Sequence, residues 1–327
     1  MAIHNVADNS FKLIFDDHWL FSEFIRDFIK IDILKDVSPE DIEDLSERFI
    51  PLTRNSRDSD TVKRINLKGS SPFFVIAILE HESQVNFRSS FKMLQYIYLV
   101  LDAWENEAEK EDPGASLRKD FKYPPVLPIV FYDGKYSWTA EKNFFDRTSL
   151  NQVFEKYIPK FEYELVNLND FSENDIMRFG DALSYVLLID KVHDSTGKTM
   201  LTSLPADYEE KLRLHIPENL TKLIVDVVLC LLGKKGFNRL ESRSVTAIVD
   251  KAERKEYGGM FEAVIESYWE NWEKGREEGL LKGREEGREE GTQEEKLKTA
   301  ANLKNLGVSI EIITQATGLS VEEIEGL

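Results

Sequence analysis

Asp60, Glu80 and Glu82 are three carboxylates of this 327-residue chain that strand arithmetic brings to one spot. Carboxylates brought face to face repel one another and destabilise a sheet unless something positive sits between them. A hard divalent cation that takes carboxylate oxygens, Mg2+ or Mn2+, suits such a set. The elements that must position them can be read from pattern. Phe73 to Leu79 is an unbroken apolar run, too short for a lone helix, and predicts a strand covered on both faces that ends in Glu80-His81-Glu82. Thr61 to Leu67 carries β-branched residues and alternation, and Lys68-Gly69-Ser70-Ser71-Pro72 is a turn signal, so the two runs predict an antiparallel hairpin. A turn centred near residue 70 sets Asp60 opposite Glu80. Glu82, two residues on, shares the face of Glu80, whereas His81 points to the other face and is expected to pack or support rather than ligate.

Composition bounds the function. With 42% hydrophobic and 31% charged residues the chain is a globular protein, long enough for a sizeable core and accessory regions. The apolar stretch Leu223 to Leu232 is broken by Asp226 and is far short of the roughly 20 residues a membrane span needs. No membrane partner is expected. The N-terminus shows no secretory pattern and Cys230 is the single cysteine, so a reducing cytoplasm is expected. A net charge of −18 excludes a broad basic surface for nucleic acid, because phosphate neutralisation supplies most non-specific affinity. Any DNA contact must be local or metal-assisted.

Along the chain, Phe11, Ile14, Phe15, Leu20, Phe21, Phe24, Ile25 and Phe28 recur at helical steps and predict a helical lid. Phe87 to Trp104 repeats the helical period, and Pro113-Gly114 ends that helix. Val126 to Tyr132 and Glu164 to Leu168 predict two further strands, giving an α/β core to about residue 170. Helical patterning follows to about Gly259. Between Lys274 and Lys296 glycines recur at 275, 279, 283, 287 and 291, one every fourth residue, which lays a stripe on one helical face. The stripe is read either as a close-packing face for a second helix, making the chain a homo-oligomer through this tail, or as a solvated charged linker. At the end, Ser309 as N-cap, Gly318 as stop and the Ser320-x-x-Glu323 capping box predict a helical hairpin. Its outline is that of a DNA reader, but Glu322, Glu323 and Glu325 would repel phosphates. The expected divisions are 1–172, 173–270, 271–298 and 299–327.

These residues together resemble the Rpn family of recombination-promoting nucleases, also described as transposases. Asp8 and Phe11-Lys12 are similar to its opening D-x-x-F/Y-K, and Ser59-Asp60 to its strand-borne aspartate. Leu79-Glu80-His81-Glu82-Ser83 is similar to L-E-H-K/Q-S, and Leu127 to Gly134 to L-P-I-V-x-Y-x-G. The glycine-punctuated tail and Thr317-Gly318-Leu319-Ser320 match as well. The resemblance implies a PD-(D/E)XK nuclease-like domain, that is, a restriction-endonuclease-like mixed sheet with flanking helices, followed by a helical region and the glycine-spaced tail. It also implies metal-dependent endonucleolytic hydrolysis of DNA, linked to recombination or mobile elements.

The chain departs from the family where the motif wants Lys or Gln and Glu82 stands. In such nucleases the lysine is thought to orient or deprotonate the attacking water and to offset charge building on the phosphate. The following helix of related nucleases often carries Q-x-x-x-Y, and the matching positions are Lys92 and Tyr96. The expected site therefore has Asp60, Glu80 and Glu82 on the metal, Lys92 supplying the displaced cation, and Asp8 and Tyr96 in support. The rival reading takes Glu82 as the mark of an inactivated nuclease and Lys92 as a solvated helix cation. The chain would then be an interaction or oligomerisation module that binds DNA or a partner.

Overall fold

The structure, a computed structural model, describes residues 9–45, 61–67, 74–191, 201–234 and 242–327. Its strands form one five-stranded sheet in the order β1 (Ile42–Asp44), β2 (Thr61–Asn66), β3 (Phe74–Glu82), β4 (Val126–Tyr132) and β5 (Glu164–Asn167). The expected hairpin is present, with Thr61 paired to Leu79 and Asn66 to Phe74. β3 runs on through Glu80, His81 and Glu82, so these residues stand within the strand and pair with Val130, Phe131 and Tyr132 of β4. β1, β2 and β3 are antiparallel, whereas β3, β4 and β5 are parallel. A parallel neighbour needs a crossover. Helix α3 (Ser89–Glu111) supplies it between β3 and β4.

The strand period sorts side chains to two covered faces. On one, Val62 of β2 and Val130 of β4 pack with Met93, Tyr96 and Val100 of α3 and with Tyr163. Arg64, on the same face as Val62, brings its guanidinium 5.7 Å from the ring centre of Trp104. On the other face lie α1 (Asn9–Asp16) and α2 (His18–Phe28), joined at Asp17, whose carboxylate accepts the N–H groups of Trp19 and Leu20 as an N-cap. Phe11, Phe15 and Phe24 surround Phe131 with ring centres 5.0, 5.4 and 5.9 Å away. All three are buried. These helices are therefore a layer of the core and not the lid that periodicity predicted, because their apolar side chains are buried against the sheet at Phe131 and against the helices that follow.

Helices α4 (Glu173–Met177), α5 (Ala182–Lys191), α6 (Ala206–His215), α7 (Thr221–Lys234) and α8 (Ser242–Glu253) follow. α5 packs against α2, and α7 against α1 and α5. The fold is thus mixed α/β, with a small sheet and a majority of helix. β1 has no forecast in the sequence: it is three residues long and is held by pairing Ile42 with Ile65.

The chain forms two compact units, Met1–Ser267 and Tyr268–Leu327, and the 49-residue helix α9 (Tyr257–Asn305) carries the boundary. In the second unit Ala300, Ile313, Leu319 and Ile324 form a small core with α10 (Ile310–Thr317) and α11 (Val321–Glu325). Gly318 stops α10 at φ +71°, and Ser320 and Glu323 complete the capping box of α11.

Candidate active site

The site grows from the end of β3. Glu82 is half-buried, and its Oε1 accepts a hydrogen bond from Asn86 Nδ2 at 2.7 Å. Asn86 organises the whole turn into α3. Its side-chain oxygen accepts the N–H of Arg88, and its backbone carbonyl accepts both the N–H and the hydroxyl of Ser89. Glu82 lies near enough to Tyr163 for its charge to act there. Burial drives the Tyr163 phenol up to about 12, Glu141 and Glu82 add to the rise, and the Trp138 indole N–H at 3.1 Å opposes it.

Lys92 is half-buried in the first turns of α3, its Nζ 5.6 Å from the ring centre of Tyr96. Tyr96 belongs to the same cluster as Val130 and Tyr163. Glu82, Lys92 and Tyr96 therefore share the α3 side of the sheet. Glu80 pairs with Val130, and for this residue the backbone placement alone is described. Asp60 and Asp8 lie outside the described residues. Among the described residues no group of three or more His, Cys, Asp or Glu side chains is gathered closely enough to hold a metal ion. Of the expected trio, Asp60 lies beyond that set and Glu80 is described by its backbone alone. Its donors, carboxylate oxygens only, fit a hard cation such as Mg2+ or Mn2+.

Three supports stand behind the site: His81, on the face opposite the glutamates as the strand period predicts, and Asp133 and Gly134. His81, between the two glutamates, packs its ring 4.3 Å from that of Phe11 on the opposite face and sets Nε2 3.0 Å from Asp133 Oδ1. The Asp133 N–H donates to the Glu82 carbonyl, tying the end of β4 to the end of β3. Gly134 is where the chain passes closest, since a Cβ there would overlap the Ser83 carbonyl oxygen and the Tyr132 ring. Asn169 Nδ2 donates to the Gly134 carbonyl at 2.7 Å. The strand period foretells the face of His81, and the Asp-Gly stop after an apolar run is the signal for the other two.

A family model described as "Putative transposase, YhgA-like" matches residues 5–215. No curated protein and no solved structure matches the chain. Among the described residues no helix is long and apolar enough to cross a membrane.

Proposed function

The chain belongs to the "Putative transposase, YhgA-like" family, a tie to mobile-element function, and from that premise we propose that it is a metal-dependent DNA endonuclease. The observation that carries this reading is the β2–β3 register. Each of its six pairs, from Thr61↔Leu79 to Asn66↔Phe74, obeys one offset, which, carried one step further, would set Asp60, outside the described residues, opposite Glu80. An antiparallel β1-β2-β3 meander, a crossover helix and a parallel β4 also support the restriction-endonuclease-like arrangement that the resemblance implies.

Asp60 and Glu80 would hold Mg2+ or Mn2+, with Glu82 as a further carboxylate. The ion, when bound, supplies Lewis-acid polarisation of the scissile phosphate and a more acidic water. Lys92 on α3 contributes what Glu82 cannot, a positive charge to orient the attacking water and offset the charge that builds on the phosphate oxygens. Half-burial over Tyr96 removes competing solvent from that ammonium and strengthens its field. Tyr96 and Asp8 support the site. The partner is DNA, and the tail helix joins copies of the chain.

The test is supercoiled-plasmid nicking by the full chain, with and without Mg2+, Mn2+ or chelator. Nicking that needs the ion and disappears in Asp60→Ala and Glu80→Gln is the expected result. Ion-independent nicking, or nicking that survives both substitutions, would sink the assignment. A second reading rests on the Asn86–Glu82 hydrogen bond, which holds a carboxylate where the motif has Lys or Gln. On that reading the chain is an inactive interaction module that binds DNA or a partner, and wild type and Glu82→Lys would both leave plasmid intact.

A further inference from the structure

Phe87 and Phe91 are 52% and 42% exposed at the entry to α3, within nine residues of Glu82. Single exposed apolar side chains are ordinary on a protein surface, whereas a cluster of rings with no polar atom calls for an occupant. Phe91 lies 6.1 Å, ring centre to ring centre, from the half-buried Phe144 at an interplanar angle of 32°. Cations are interleaved with these rings: Arg88 stands between Phe87 and Phe91, and Lys142 and Arg147 flank Phe144, all three exposed. Acidic residues stand close as well: Glu141, Asp146, whose Oδ2 accepts a hydrogen bond from the Asn143 amide, Glu162, which pairs with Asn143, and Glu82. The patch thus gathers three exposed cations at positions next to its rings in a chain of net charge −18. Asn86 fixes it to the site, since one side chain bonds both the Glu82 carboxylate and the Arg88 N–H.

We propose that Phe87, Phe91 and Phe144 form a stacking ledge for unpaired bases of single-stranded DNA beside the candidate active site, with Arg88, Lys142 and Arg147 on its phosphates. The proposal rests on the endonuclease reading for its place beside the carboxylates and names that site's substrate class. Stacking needs an open base face, which every base has and which a duplex covers, so the rings select unpaired over paired DNA. The cations supply a salt-sensitive and sequence-independent share of affinity.

The test measures anisotropy of a labelled single strand and of its duplex against the full chain in chelator, so that no hydrolysis occurs. The single strand is expected to bind about tenfold tighter than the duplex, and Phe91→Leu and Phe144→Leu each to weaken it by about fivefold or more. Phe91→Trp is expected to keep the affinity and to show indole quenching when the strand is added, which also reports a folded protein. Equal binding of strand and duplex would overturn the proposal. So would unchanged affinity in both leucine variants together with no quenching in Phe91→Trp, or a loss of self-association in Phe91→Leu, which would make the ledge a contact between copies. Glu80→Gln should keep the single-strand binding while losing any cleavage. Binding that depends on Phe91 in a protein that never cleaves DNA leaves the ledge standing and removes the endonuclease reading.

Discussion

Glu23 Oε2 accepts the backbone N–H of Leu183 at 2.8 Å across 160 positions of sequence, fastening α2 to the first turn of α5. Its other oxygen accepts the Trp19 indole N–H at 2.7 Å, and the side chain is buried. Asp181 caps the same helix by accepting the Ser184 N–H at 2.8 Å, and Asp27 shares a hydrogen bond with Asp181. Three carboxyl groups thus meet at one helix start, where the exposed N–H dipoles welcome negative charge but burial resists it.

This cluster makes stability pH-dependent. Burial first, then the charge of Asp181, raises Glu23 to about 8 and Asp27 to about 9, the Asp27–Asp181 hydrogen bond adding to the latter. A carboxyl raised on folding binds its proton better in the folded chain, so its contribution is whole below the ordinary carboxylate range and is lost as pH rises through 8 to 9. Melting temperature should fall steadily from pH 5 to pH 9, each of the two groups removing up to about 1.4 kcal/mol of stability per pH unit. Glu23→Gln and Asp27→Asn, which keep shape without the titration, should flatten the slope. A melting temperature flat across that range in wild type would refute the assignment.

Lys92→Ala should abolish ion-dependent nicking while leaving the melting temperature within about a degree, since exposed or half-exposed helix positions change stability little. Adding Glu82→Lys should restore part of the rate by putting an ammonium back on the strand. Gel-based nicking time courses decide it, and full activity in Lys92→Ala would remove the lysine from the site.

Mg2+ or Mn2+ should raise the melting temperature of the wild type by binding the folded chain alone. Asp60→Asn or Glu80→Gln should remove most of the rise. Calorimetry with an ion titration measures it, and equal rises in wild type and both variants would place the ion elsewhere.

Gly134→Ala should destabilise the fold by about 1–3 kcal/mol, the usual cost of forcing atoms into a filled space. The added methyl group meets the Ser83 backbone oxygen, which cannot step aside as a flexible side chain would. Urea unfolding gives the value.

Gly275, Gly279, Gly283, Gly287 and Gly291 each have open space where a Cβ would go. Alanine at all five should therefore raise helix stability, by about 0.5–1 kcal/mol per position. If the stripe joins copies, the same change should loosen them, and sedimentation before and after shows whether mass falls. An unchanged mass in a protein that self-associates would leave the stripe a linker.

Local period and stop signals in the sequence are enough for a large part of the fold. The run Phe73 to Leu79 and the turn at 68–72 were enough to place β3 and to set its register with β2, because side-chain alternation lets only one pairing keep the apolar faces together. Val126–Tyr132 emerged as β4 with the bounds its apolar run predicts, and Ser309, Gly318 and Ser320 cap the last helices as their types foretell. Whatever depends on partners far along the chain shows itself in the folded molecule alone. Lys63 reads as a polar position of an alternating strand, yet it is fully buried, its ammonium donating to Asp44 and to the Asp16 carbonyl. Glu23 and Asp27 lie on an ordinary amphipathic helix, and nothing near them forecasts Asp181. The hold of Asn86 on Glu82 was likewise illegible, since it depends on how the turn before α3 closes. Periodicity records which face of an element is apolar. Which charges then meet across that face is settled by packing, where burial makes every unpaired group costly enough to select its partner.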